Sequence, residues 1–150
     1  MIIIFYKQYK KGHDKDFYSI LTQVECDVLL LFGKDDPWCT PAFAKRMYQS
    51  LKSRHDANIA ETKKPVHRYV ELDNVGHCPN HEAPQAVGLI ASRWTSASQR
   101  HRQCLNLLND NEENIDVVTI KEPWGDVSAR EINDDEINLS LVDKVITSLV

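Results

Sequence analysis

Val28-Leu29-Leu30-Leu31-Phe32 is an unbroken apolar run held between Asp27 and Gly33. Five residues are too few for a stable helix of their own, and the Gly-Lys-Asp-Asp-Pro cluster that follows ends any regular structure. The run therefore reads as a strand covered on both faces, as in a parallel sheet. A buried helix segment has the same lack of periodicity; the shortness and the turn residues decide for the strand.

A parallel sheet needs crossover helices, and the sequence supplies them. Thr40-Pro41 is a helix start, with Thr at the N-cap and Pro in the first turn. Phe43, Met47 and Leu51 then recur every four residues, with Ala44 and Tyr48 beside them, to give one apolar helix face. Residues 53–65 are polar and read as an exposed loop. Val66 to Leu72 alternates as a second strand. Pro84 opens a second helix with Val87, Ile90, Ala91 and Trp94 on one side. Residues 13–25 are mixed, with Phe17, Ile20, Leu21 and Val24 at roughly helical spacing. The order strand, helix, strand, helix predicts an α/β fold.

The tail differs in character. Residues 1–98 carry 13 Lys+Arg against 11 Asp+Glu, whereas residues 99–150 carry 5 against 11. Neither part has the basic footprint of a nucleic-acid binder, and the acidic tail repels phosphate backbones and anionic membranes. Composition divides the chain into a body at 1–98, a linker at 99–116 and an extension at 117–150. In the extension, Val117–Ile120 and Val127–Ile132 flank Glu-Pro-Trp-Gly-Asp as a hairpin. Ile137, Leu141, Val145 and Leu149 then mark a last amphipathic helix.

Two loops follow the two strands of the body. The first is Gly33-Lys-Asp-Asp-Pro-Trp38, and the second is Gly76-His-Cys-Pro-Asn-His-Glu-Ala-Pro84. Ligands of open parallel sheets bind beyond the carboxyl ends of the strands, which is where both loops fall. Asp36 and His77 are a candidate acid–base pair: a carboxylate behind a histidine fixes its tautomer and stabilises the imidazolium formed when it accepts a proton. Their 41-residue separation leaves room for one helix and a return strand. Taken singly, each residue has a plainer reading, Asp36 as a turn cap and His77 as an ordinary loop residue. Asp35 competes for the acid role, but the Gly33-x-x-Asp spacing and Pro37 select Asp36. Trp38 is a candidate substrate-binding residue, with simple packing as the alternative. Glu82 and Pro84 read as shaping the entrance to the helix.

His77, Cys78 and His81 also invite a zinc reading. No second ligand pair follows and Pro79 interrupts the helical frame, so no metal is assigned. Cys78 as a nucleophile would share a short loop with its own base, with nothing to activate it. A nucleophile elbow Gly-x-Ser-x-Gly needs glycines four apart. Gly12, Gly33, Gly76, Gly88 and Gly125 offer no such pair, and there is no Gly-rich phosphate loop. No cofactor is implied.

These motifs resemble the C-terminal portion of an α/β-hydrolase fold enzyme, over about residues 20–95. Cys-Asp-Val-Leu-Leu-Leu-Phe-Gly-Lys-Asp-Asp-Pro-Trp is similar to the family's strand with the triad acid. Val-Gly-His-Cys-Pro-Asn-His-Glu-Ala-Pro is similar to its histidine loop, Gly-His-x-x-x-x-Glu-x-Pro. The pairing of Asp-Pro-Trp with Gly-His-Cys-Pro resembles, more narrowly, the plastid and cyanobacterial hydrolases that include pheophytinase-like esterases. The resemblance implies the last strands and helices of the hydrolase sheet, Asp36 as acid, His77 as base and a small ester-like substrate. The family order is nucleophile, acid, histidine, so it also implies a nucleophile, oxyanion donors and lid upstream of Met1. An epoxide hydrolase or dehalogenase with an aspartate nucleophile shares this half. The competing expectation is a non-catalytic interaction module that binds through its acidic tail. Two strands alone leave a sheet edge bare, which predicts marginal folding of the isolated chain.

Cys26, Cys39, Cys78 and Cys104 are scattered without a CxxC, which fits a reducing compartment better than a disulfide framework. The narrower resemblance implies a plastid. The Met1–Tyr6 apolar run is too short for a membrane span or a signal-peptide core, and its lysines follow it. The sequence designates no partner protein.

Overall fold

The computed structural model describes residues 17–53, 64–108 and 117–137. The N-terminal apolar run, most of the polar 53–65 stretch and the last amphipathic helix expected beyond Ile137 lie outside the described residues.

The apolar run forms β1 (Val28–Gly33), and the alternating segment forms β2 (His67–Leu72). They pair in parallel, with Val28 opposite His67 and Gly33 opposite Leu72. Parallel neighbours need a crossover, which α2 (Pro41–Lys52) supplies. Thr40 and Pro41 take the expected cap and first-turn positions, but the Thr40 side chain makes no capping bond. Before β1 lies a short helix, α1 (Phe17–Leu21).

Both faces of β1 are covered. Val28, Leu30 and Phe32 pack with Ala44, Met47, Tyr48 and Leu51 of α2, and with Leu21 and Tyr69. Leu31 faces the other layer, with Val70, Leu72 and the buried side of α4 (Pro84–Ser96): Ala86, Val87, Ile90 and Trp94. His67, Tyr69 and Glu71 of β2 are buried too, and Tyr69 packs against α2. Tyr69 donates its hydroxyl to Glu71 Oε1 at 2.7 Å, and Tyr48 donates to the His67 carbonyl at 3.0 Å. Burial, followed by the Glu71 contact, pushes the Tyr69 phenol far above its ordinary range.

The tail does not stand apart. β3 (Val117–Glu122) and β4 (Gly125–Glu131) form an antiparallel hairpin, and β4 pairs antiparallel with β2, Leu72 opposite Ala129. The result is a mixed four-stranded sheet in the order β1-β2-β4-β3, with helices on both sides. The parallel reading therefore holds for β1 and β2, and the sheet as a whole is mixed. Val127 and Ala129 join the same core layer as α4. A 3₁₀ turn, Asp134–Ile137, follows β4.

Residues 99–108, the start of the stretch that composition reads as a linker, are packed. They open with α5 (Gln99–Arg102), and Leu107 and Leu108 enter the core. Arg68 donates to the carbonyls of Arg102 and Leu105 at 2.9 Å each, and Arg102 donates to Asp27 Oδ2 at 2.6 Å. Arg68 is also paired with Glu131 of β4. Among the described residues, no helix is long and apolar enough to cross a membrane.

Candidate active site

Asp36 and His77 approach each other because the loops after β1 and β2 touch. Asp35 N donates to the Val75 carbonyl and Lys34 N to the Leu72 carbonyl, both at 2.9 Å. Gly33 permits this closeness. A Cβ on Gly33 would lie 2.1 Å from the Gly76 carbonyl oxygen and 2.3 Å from that of Val75. Any side chain there would push the histidine loop away from β1. Asn74, at φ 61°, takes the left-handed conformation in the turn that leads into this loop.

Asp36 is 5% exposed, whereas Asp35 is exposed to solvent, so the two neighbouring carboxylates are sorted by burial. Asp36 Oδ1 accepts from the amides of Trp38 at 2.8 Å and Cys39 at 2.9 Å. Asp36 Oδ2 accepts from His77 Nδ1 at 2.8 Å. Burial raises the Asp36 carboxyl, but the Cys39 amide, His77 and the Trp38 amide together outweigh it and hold it below the ordinary value. An ionised carboxylate is acceptor-only, so the proton of the pair sits on Nδ1. That leaves His77 Nε2 as the nitrogen free to exchange a proton with a reacting group.

His77 is half-buried, and the Trp38 ring meets it edge to face with centroids 4.8 Å apart. Trp38 is otherwise 74% exposed, so it stands as a wall beside the imidazole rather than as a core residue. Among the described residues, Asp36 is the hydrogen-bond partner of His77, and no hydroxyl or thiol is bonded to its ring. The arrangement can hold and pass a proton.

The zinc reading of His77, Cys78 and His81 is not what the fold assembles. His81 and Cys78 are exposed. The donor atoms that converge instead are those of Asp36, Cys39 and His77, within 4.8 Å of one another. Asp36 Oδ1 already accepts from two amides and Oδ2 from the imidazole.

Glu82 does more than shape a helix entrance. It ends a four-residue helix, α3 (Pro79–Glu82), that the sequence reading did not contain. Its carboxylate turns back to the loop, accepting from the Gly76 amide at 2.7 Å and the Cys78 amide at 2.9 Å. These two amides flank His77. Two further residues come from the tail: Trp124 donates its indole N–H to the Glu82 carbonyl at 2.6 Å, and Glu122 accepts from the Gln85 and Ala86 amides. The Gly-His-x-x-x-x-Glu spacing signals Glu82. Nothing local signals Glu122 or Trp124, which are distant in the chain from the groups they bind.

No protein-family model matches this sequence. No solved structure matches it either. Over 87 residues, 57% of the chain, the sequence is 28% identical to pheophytinase, chloroplastic, of Arabidopsis thaliana. The match covers 15% of the length of that curated relative. The chain thus has a hydrolase-like relative, to a small part of which it is similar.

Proposed function

We propose that Asp36 and His77 are the acid and the base of a hydrolytic triad, in a chain that carries the C-terminal strands of an α/β-hydrolase. The observation that carries this reading is the 2.8 Å bond from His77 Nδ1 to an Asp36 carboxylate that is buried and held by two backbone amides. A structural turn cap needs the amides and not the imidazole. An orienting carboxylate needs both.

The reaction is hydrolysis of a carboxylic ester. His77 Nε2 takes the proton of a serine hydroxyl as the serine oxygen attacks the ester carbonyl. Asp36 stabilises the imidazolium, which then protonates the departing alkoxide. Water repeats the sequence on the acyl-enzyme: His77 removes its proton, and the serine leaves with that proton restored. The serine and the oxyanion donors come from polypeptide upstream of Met1. Relatives with an aspartate nucleophile use the same acid–histidine half, so the upstream segment also decides the substrate. The likeness to a chloroplast protein supports a plastid as the compartment.

The test joins the chain to its upstream reading frame and measures hydrolysis of a short-chain nitrophenyl ester. A Gly-x-Ser-x-Gly after a strand is expected there. His77→Ala is expected to lower kcat by about 10⁴-fold or more. An upstream frame without an elbow, together with no hydrolysis of the ester, leaves the interaction-module reading in its place, and hydrolysis unaffected by His77→Ala removes His77 from the reaction.

A further inference from the structure

The tip of the β3–β4 hairpin grips the segment that carries His77 at two points. On one side of Ala83, the exposed Trp124 indole donates to the carbonyl of Glu82, the last residue of α3. On the other, Glu122 Oε2 accepts from Gln85 N at 3.1 Å and Glu122 Oε1 from Ala86 N at 2.7 Å. These are amides of the first turn of α4. That helix has no acidic residue of its own in the first turn, and Ala83 at its N-cap gives no side-chain bond. Glu122 therefore supplies from another element the cap that the local sequence lacks, and its charge suits the helix N-terminus.

The corner between α3 and α4 is the base from which the Glu82 carboxylate reaches back to the Gly76 and Cys78 amides. A fixed corner means a fixed carboxylate, and a fixed carboxylate holds both sides of His77. Trp124 is 69% exposed, so its ring buries little surface, and its indole N–H is bonded to the loop. The hairpin's attachment to the sheet comes from other residues, Val127 and Ala129 in the core and the β4–β2 ladder.

We propose that the 117–131 hairpin is a positioning element for His77, with Glu122 and Trp124 as positioning residues that act through Glu82. The proposal deepens the acid–base reading of Asp36 and His77 and rests on it for its functional meaning. The contact chain itself can be tested without any catalytic assay.

The experiment is NMR on the chain joined to its upstream reading frame, wild type against Trp124→Phe and Glu122→Gln. Phe keeps an aromatic ring, smaller than the indole, and removes the N–H; Gln keeps the shape and removes the charge. Amide exchange is read at Gly76, Cys78 and Ala86, with Leu30 and Val70 of the sheet as references, and the His77 Nδ1–H resonance is followed in the same samples. Trp124→Phe is expected to speed exchange at Gly76 and Cys78 by about five- to tenfold, the worth of roughly one hydrogen bond, and to shift or broaden the Nδ1–H signal. Glu122→Gln is expected to speed Ala86 most, with the reference amides unchanged. Asp36→Asn abolishes the Nδ1–H signal while Gly76 and Cys78 stay protected, so a failure of the acid–base pair is distinguishable from a failure of the brace. Unchanged exchange at Gly76 and Cys78 in both hairpin variants, or equal acceleration at Leu30 and Val70, overturns the proposal.

Discussion

Asp36 shows how far one carboxylate's surroundings can set its chemistry. Desolvation works against its charge, and two amides and an imidazole work for it and prevail. The consequence for stability has a definite sign. A carboxyl whose folded pKa lies below its unfolded value stabilises the fold in full above the unfolded value, about 3.8, and loses that contribution as pH falls through the folded value. Urea titrations at a series of pH values are therefore expected to show a gap between wild type and Asp36→Asn that is constant above about pH 5 and closes below about pH 4. A gap independent of pH throughout would remove the charge from the account. That Asp36 rather than Asp35 is the buried carboxylate bonded to His77 agrees with the spacing from Gly33 and with Pro37. The second job of Glu82 was legible only as a spacing, because its targets are backbone amides. The roles of Glu122 and Trp124 were not legible, since they depend on where a distant hairpin lands.

Elements were readable where burial writes a local pattern. The 28–32 run gave β1, and the four-residue repeat from Phe43 gave α2 with Met47 and Leu51 inside and Phe43 at the margin. Alternation along β2 pointed to a strand but not to burial of His67, Tyr69 and Glu71. α3 was missed because four residues with a proline look like an interruption; Pro79 instead starts the turn. Residues 99–108 fall within the stretch read as a linker because they lead into the polar, acidic run at 109–114. Their packing is specified by Arg68 and Asp27 from the sheet end and by the α4 layer. Leu107 is fully buried, so Leu107→Ala is expected to cost about 2–4 kcal/mol in denaturant unfolding. A linker residue would cost close to nothing.

At the scale of the molecule, the α/β class was legible and the mixed sheet was not, because strand partners are chosen by non-local contacts. The hairpin covers the outer edge of β2, and among the described residues β1 has β2 as its single strand neighbour. A strand buried on both faces whose second edge is unpaired among the described residues is a site for another strand. The isolated 150-residue chain is expected to self-associate or to melt over a broad range, read by sedimentation and calorimetry. A sharp monomeric transition would show that the chain closes its own edge. The proposed function belongs to this scale as well, since it assigns the attacking group to upstream polypeptide and the proton transfer to this chain. The most direct test is a double-mutant comparison of ester hydrolysis in the extended polypeptide. If Asp36 acts only through His77, then Asp36→Asn lowers kcat on its own, but adds nothing further in a His77→Ala background. Losses that multiply in the double variant would mean that the two residues act independently, and would contradict the acid–base pair.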